Sequence, residues 1–419
     1  MRRPFLKNID TFTRNTILVF IGNSAVNLLN FVYQLLVAHS LSAADFAAFS
    51  ALLSIFIVSY YTLATVHTGL SKYCTEYSVL GHGHKVKILL RGVLRHILIL
   101  AALTLFIFLS LSGRITDILK VSSRTGAYLL AMLLALSWVL PVFSGCIQGL
   151  ELFTWLASGP VIATFLKLAL AFIFIAWGFG ISGALSALLI SIASTIIIFY
   201  FALRRHLAAA GHNHSSGDIS VNYRELFFYL VPVAVSYLCY MSLVMLDTVL
   251  VRYYFLPQDS GLYSLAQLVG KIFLFFPSAI AIVMFPRVSG LKAKNMDTRP
   301  VLRQALLYTA GLCLIAAVGY NLFPAFVLKA LTGKAYPESI ILGRLFSLSM
   351  SFFVLLYMLI NYFLSIADLR FIKYLVLFTL CQFGAIILFH KSLVGVQLIL
   401  CANAILLFLT HLALAYRKK

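Results

Sequence analysis

Charge is scarce in this 419-residue sequence, and acid is scarcer than base. Only 11% of residues are charged, 12 Asp and Glu against 32 Lys and Arg, while 62% are hydrophobic. A soluble domain has roughly 25% charged and about 45–50% apolar residues, because its surface faces water. An ordinary soluble fold is therefore excluded. Signatures of chemistry are missing too. Leu331-Thr-Gly-Lys-Ala-Tyr lacks the first glycine and the Ser/Thr of a phosphate loop, and neither a G-x-S-x-G elbow nor an H-E-x-x-H helix occurs. ATP hydrolysis is excluded, and no cofactor is called for. The six cysteines have no C-x-x-C or Cys/His ligand spacing, and five lie in apolar blocks, so no disulfide framework is implied. The pairs His82/His84 and His212/His214 sit beside glycines without further ligands and read as solvated loop rather than metal site. The Asn213-His-Ser sequon falls in a segment read as cytoplasmic, where it would not be glycosylated.

What the sequence has is apolar blocks of about twenty residues or more, the length that crosses a hydrocarbon core of ~30 Å as helix. Twelve spans are predicted: 15–38, 46–70, 89–111, 125–150, 155–177, 181–203, 225–252, 261–288, 301–324, 339–364, 370–389 and 395–416. With the N-terminus inside, inner segments hold 22 Lys and Arg and outer segments 7. This asymmetry orients both termini to the cytoplasm and accounts for the net charge of +20 without a nucleic-acid partner. The opening Met1–Arg14 stretch reads as an uncleaved cytoplasmic leader. The longest connection, 204–224, is rich in Gly, Ser and His. It divides the chain into an N-terminal six-helix lobe (1–208), a cytoplasmic linker (209–224) and a C-terminal six-helix lobe (225–419). The halves echo each other: Ala43-Ala-Asp-Phe-Ala-Ala-Phe-Ser and Pro257-Gln-Asp-Ser-Gly-Leu-Tyr-Ser align at an offset of 214. Parallel repeats of this kind flank substrate sites in transporters.

Ionisable residues inside spans are costly and point to an interior cavity or a partner. Lys167 and Lys271 lie too deep to snorkel easily, whereas Arg344 is near enough to an end to do so. Against them stands one carboxylate, Asp247, which either pairs with Arg252 one turn on or binds a coupling Na⁺ or H⁺. A cavity lined by Lys167, Lys271 and Arg344 would be basic and would suit an anionic substrate. His67, near the inner end of the second span, reads as a packing group or a gate. Pro141, Pro232 and Pro277 each permit a bend in a long helix.

Residues 231–290 resemble the polysaccharide transporter, or O-antigen flippase, family. The resemblance rests on Pro232, Asp247, Gly261, Tyr263, Ser264, Ala266, Phe285, Pro286 and Ser289. Leu41-Ser-Ala-Ala-Asp-Phe follows the family's L-S-x-x-[DE]-[FY]-G, with Ala47 in place of the glycine, and Leu331-Thr-Gly…Tyr336 also matches. The superfamily includes multidrug and toxin extrusion antiporters and lipid II flippases. The resemblance implies an all-α membrane fold, with two pseudo-symmetric six-helix lobes around a central cavity. It further implies movement of an undecaprenyl-pyrophosphate-linked oligosaccharide between leaflets of the bacterial cytoplasmic (inner) membrane, for O-antigen, capsule or exopolysaccharide assembly. A glycan polymerase of the same pathway is the implied partner, beside membrane lipids. The competing readings are a cation-coupled multidrug antiporter and a membrane enzyme of glycan assembly. The first span has Asn23, Asn27, Asn30 and Gln34 but no carboxylate, unlike the antiporters, and no long outer loop offers an enzyme site.

Overall fold

A computed structural model describes residues 11–79, 83–121, 123–209 and 223–417. His82, Asn213, both histidines of the second pair and nearly all of the 209–224 linker lie outside them. The described residues form fifteen helices: α1 (Thr11–Ser40), α2 (Ala43–Val79), α3 (Gly83–Ser110), α4 (Ser112–Ile118), α5 (Arg124–Gly149), α6 (Phe153–Ala176), α7 (Gly180–Ala209), α8 (Tyr223–Met245), α9 (Asp247–Tyr254), α10 (Pro257–Ala293), α11 (Arg299–Leu322), α12 (Pro324–Thr332), α13 (Pro337–Ser365), α14 (Phe371–Leu388) and α15 (Leu393–Tyr416).

Ten of these helices are long and apolar enough to cross a membrane, and α8 with α9 makes an eleventh span bent by 43°. The remaining predicted span, 261–288, falls on α10, whose 37 residues reach about 55 Å. Large apolar side chains crowd the outside: Phe106 is 70% exposed, Ile315 71% and Phe326 74%. An exterior of that kind faces lipid, since water would make it a large aggregation surface. The helices run on through Pro141, Pro232 and position 277. The break comes at Leu246, where no proline stands. The Asp247 carboxylate takes up the backbone N–H of Thr248, the local competition by which a short acidic side chain starts a new helix. Two short helices, α4 and α12, occupy connections that the hydropathy pattern presents as plain loops.

The repeat extends far beyond the eight residues that announced it. Helix α10 begins and ends 214 residues after α2, α9 ends 214 after α1, and α12 ends 214 after α4. Helices α5 and α7 are followed at nearly the same interval by α13 and α15. The second half thus repeats the element order of the first, with α14 and α15 each six residues shorter than α6 and α7 and the α8/α9 break as a further departure.

The helices gather into two compact units. The first holds α1 as far as Val37, α2 from Leu63 onward, α3, α5, α6, α7 and the start of α8 to Leu230. Polar bonds between its helices run from Trp138 Nε1 to Thr104 Oγ1 (3.0 Å) and from Ser191 Oγ to the Ala163 carbonyl (2.8 Å). The second unit holds residues 38–62, 114–122 and everything from Val231. Its core is α13, where Phe346, Phe353 and Phe363 are buried. Cations tie its helix ends together. Arg252 donates to the carbonyls of Leu119 (2.7 Å), Lys120 (2.7 Å) and Pro257 (3.3 Å). Lys120 Nζ donates to the Phe255 carbonyl at 2.7 Å, and Lys334 Nζ to the Leu41 carbonyl at 2.5 Å.

Candidate functional site

In the second unit, Tyr263, Gln267 and Lys271 follow one another at four-residue steps, so they share one face of α10. All three are buried, and so is Asp247 at the start of α9. The Tyr263 hydroxyl is shared between Asp247 Oδ2 at 2.7 Å and Gln397 Oε1 at 3.1 Å. Gln267 Nε2 lies 3.4 Å from Asp247 Oδ1. Gln397 Nε2 continues the chain to Ser349 Oγ at 2.8 Å. Lys271 lies within electrostatic reach of Asp247. The carboxylate also sits in the first turn of α9, where the helix dipole favours an anion. On the same two helices, α9 and α10, Thr248 Oγ1, Ser264 Oγ and Gln267 Oε1 are buried without a hydrogen-bond partner among the described residues. Such oxygens cost free energy in apolar surroundings unless something fills them.

The expected alternative for Asp247, an ion pair with Arg252, is not formed. Arg252 turns to three carbonyls at the helix end, and the salt bridge among the described residues joins Arg370 to Asp368 at 2.6 Å. One turn of separation fits the pair on a straight helix, but Arg252 turns three of its five N–H donors to the carbonyls of Leu119, Lys120 and Pro257 instead.

Lys167 belongs to the first unit. It is 3% exposed, donates to Asn30 Oδ1 and stands 4.4 Å from the ring centroid of Tyr33. Cation–π attraction and an amide oxygen thus receive an ammonium that spans usually exclude. Asn23, Asn27, Asn30 and Gln34 recur at intervals of four, three and four residues, so these amides form one stripe along α1. Gln34 Oε1 is buried without a partner among the described residues. Arg344 is exposed in the early turns of α13, beside Tyr320 of α11. Lys167 and Lys271 fall in different units.

His67 is held by α5: one ring nitrogen lies 2.7 Å from Ser144 Oγ and the other bonds Gln148 Oε1. The seam is close because Gly145 and Gly149, a G-x-x-x-G pair, bring the backbones together. A Cβ on Gly145 would lie 2.6 Å from the His67 carbonyl, and one on Gly149 2.5 Å from that of Ser71. Thr75 Oγ1 donates to the Gly149 carbonyl, and the Cys74 and Cys146 sulfurs are 3.3 Å apart.

Several motif residues acquire physical reasons. Ser42 and Asp45 cap the start of α2, the hydroxyl donating to Asp45 Oδ2 (2.7 Å) and accepting from its amide (3.1 Å). Gly261 abuts the Ala43 backbone, where a Cβ would come within 2.6 Å. Gly333 ends α12 in the left-handed region at φ 71°, with Thr332 bonding back to Leu328. Sequence reasoning quoted Tyr263 without a role and missed Gln267, Gln397 and Tyr33. The four-residue spacing on α10 was the available signal.

The sequence matches the family described as polysaccharide biosynthesis protein over residues 12–292. It is 26% identical over 235 residues to an uncharacterized membrane protein of Methanocaldococcus jannaschii, covering 54% of each chain. The chain thus aligns with about half the length of that relative. Among solved structures it resembles the lipid II flippase MurJ in an inward closed conformation (TM-score 0.70, 15% identity, 96% of this chain and 88% of that one). It also resembles a multidrug resistance MATE family transporter of the MOP superfamily in an inward-facing conformation (TM-score 0.68, 17% identity, 93% and 94%). The fold is that of these transporters, and the chain is a multi-pass membrane protein that belongs to the polysaccharide biosynthesis protein family.

Proposed function

We propose that this protein is a flippase that moves a polyprenyl-pyrophosphate-linked oligosaccharide from the inner to the outer leaflet of the cytoplasmic membrane, with both termini cytoplasmic. The reading rests on one observation above the others: this chain, of a family described as polysaccharide biosynthesis protein, holds two lysines buried in spans, neither in an ion pair among the described residues. Buried ammonium groups suit a substrate that brings its own negative charge into the membrane, and pyrophosphate does so. Arg344 would meet that charge nearer a helix end. A lipid-linked glycan also agrees with the likeness in fold to a lipid II flippase.

Asp247 supplies the coupling in this proposal. A buried carboxylate with the unpartnered oxygens of Thr248, its chain neighbour, and of Gln267, whose amide reaches it, offers oxygen donors for a hard cation such as Na⁺, or a seat for a proton. Lys271 balances Asp247 at rest. When the pyrophosphate draws the Lys271 charge, Asp247 is left to take a cation, so anion and cation favour the same state. His67 would then serve to hold the α2–α5 seam through the cycle rather than to touch substrate.

The test is transport of a fluorescent polyprenyl-pyrophosphate oligosaccharide in proteoliposomes, with and without Na⁺ and H⁺ gradients. Lys271→Ala should lose most transport at normal abundance, and Lys271→Arg less. Full transport by a Lys167→Ala, Lys271→Ala double variant would overturn the site. Export of lipophilic cations in place of the lipid would give the multidrug reading.

A further inference from the structure

Tyrosines in membrane proteins gather near the two interfaces, where the hydroxyl reaches water. In the second unit, five of them gather elsewhere. Tyr61 is the central residue of the 37 in α2, and Tyr60 is next to it. Each lies about 25–27 Å from the start of that helix at ~1.5 Å per residue. Tyr237 and Tyr240 come from α8, and Tyr357 lies eight residues before the end of α13. The ring centroids of Tyr60 and Tyr61 are 5.6 Å apart, edge to face, and those of Tyr240 and Tyr357 are 5.2 Å apart. Tyr61 lies within electrostatic reach of Tyr237, Tyr240 and Tyr357, so three helices deliver their hydroxyls to one neighbourhood.

These hydroxyls are placed to be used. Asn361 attends Tyr357. Among the described residues, those of Tyr60, Tyr61, Tyr237 and Tyr240 have no hydrogen-bond partner, and none is sealed from its surroundings. Tyr61 is 42% exposed, while Tyr60, Tyr237 and Tyr357 are half-buried. A core built for packing alone would use phenylalanine, of which the chain has 35, and escape the cost of desolvating four phenols. No charged side chain belongs to the cluster, so it is not an anion site. Aromatic faces beside neutral groups that both donate and accept match one ligand chemistry: the C–H faces and hydroxyls of a sugar ring.

We propose that Tyr60, Tyr61, Tyr237, Tyr240 and Tyr357 form a carbohydrate subsite, which holds the glycan of the substrate apart from the lysines that meet its pyrophosphate. The inference rests on the flippase reading and makes a separate demand on it: sugar and phosphate recognition come apart by mutation. The experiment compares two fluorescent lipids in proteoliposomes, a polyprenyl-pyrophosphate oligosaccharide and the same polyprenyl pyrophosphate without sugar. In the Tyr61→Phe, Tyr237→Phe double variant, which keeps both rings, transport of the glycolipid should fall about tenfold, the worth of one or two neutral hydrogen bonds. The sugarless lipid should move as in wild type. Lys271→Ala should impair both. If wild type moves both lipids and the tyrosine variant slows neither, or both equally, the subsite is wrong and the flippase reading stands. If wild type moves neither, the flippase reading falls and takes the subsite with it.

Discussion

Lys120 and Lys334 occupy the same position in the two repeats, 214 residues apart, and each reaches a backbone carbonyl of the opposite repeat. Lys120 bonds Phe255, Lys334 bonds Leu41, and these acceptors are themselves 214 residues apart. One ammonium–carbonyl contact has been duplicated with the helices and exchanged between them. Lys120→Met should speed amide hydrogen exchange in the 253–260 segment, Lys334→Met in the 38–45 segment, and the double variant in both. About tenfold per contact is expected where a bond is worth ~1.4 kcal/mol. Burial lowers the Lys334 ammonium from the ordinary lysine range. The charge is therefore lost sooner as pH rises, so the protection of amides near Leu41, taken relative to the intrinsic base-catalysed exchange rate, should fall at alkaline pH in wild type, whereas in Lys334→Met it should be low at all pH.

Glycines at close crossings should separate from those in open space. Gly149→Ala puts a Cβ 2.5 Å from the Ser71 carbonyl, and Gly261→Ala puts one 2.6 Å from the Ala43 backbone. Each should destabilise by about 1–3 kcal/mol, the usual cost of overpacking, read as a lower Tm in detergent. A methyl group on Gly311 in α11 would meet nothing within 4 Å. Gly311→Ala should be neutral, or stabilising by up to about 1 kcal/mol through helix propensity.

Asp247 and Arg252 should behave as strangers. Asp247→Asn should remove any dependence of transport on an ion gradient while leaving the Tm near wild type. Arg252→Leu, which frees the carbonyls of Leu119, Lys120 and Pro257, should lower the Tm and leave the ion dependence in place. Loss of ion dependence in Arg252→Leu would show that the two charges act as a couple after all.

The Cys74 and Cys146 sulfurs are in contact at 3.3 Å, and both cysteines are buried. A membrane-permeant oxidant such as diamide should join them and remove two labellable thiols per chain under denaturing conditions. Replacing either one by Ser should abolish the change, whereas replacing the exposed Cys381 should not.

The spans were legible because a block of twenty apolar residues means the same thing in any context, and each predicted span has its helix, or helix pair, in the fold. The break at Leu246 was not, since prolines were the visible breakers and the chain runs straight through them. Asp247 was legible as a costly charge, but its partners were not. Tyr263 and Gln397 are 134 residues apart, and only packing brings them together. Lys167 announced itself in the same way, while Asn30 and Tyr33 passed as ordinary polar and aromatic residues of a span. Motif residues such as Ser42 and Gly333 were recognised by resemblance alone, though a capping hydroxyl and a left-handed helix stop were readable from chemistry.

The second unit is discontinuous in sequence, since residues 38–62 and 114–122 group with the chain from Val231 onward. A ribosome adding about 5–20 residues per second therefore makes the first half of α2 on the order of ten seconds before α8, and longer before α13. During that wait the α2 segment carries two deep tyrosines and a glycine-sized gap at Ala43 with nothing yet to meet them. Membrane insertion has to keep this segment from neighbours that would pack against it wrongly. A chain cut between α7 and α8 would deliver its first half with one helix half-committed to a unit that does not yet exist.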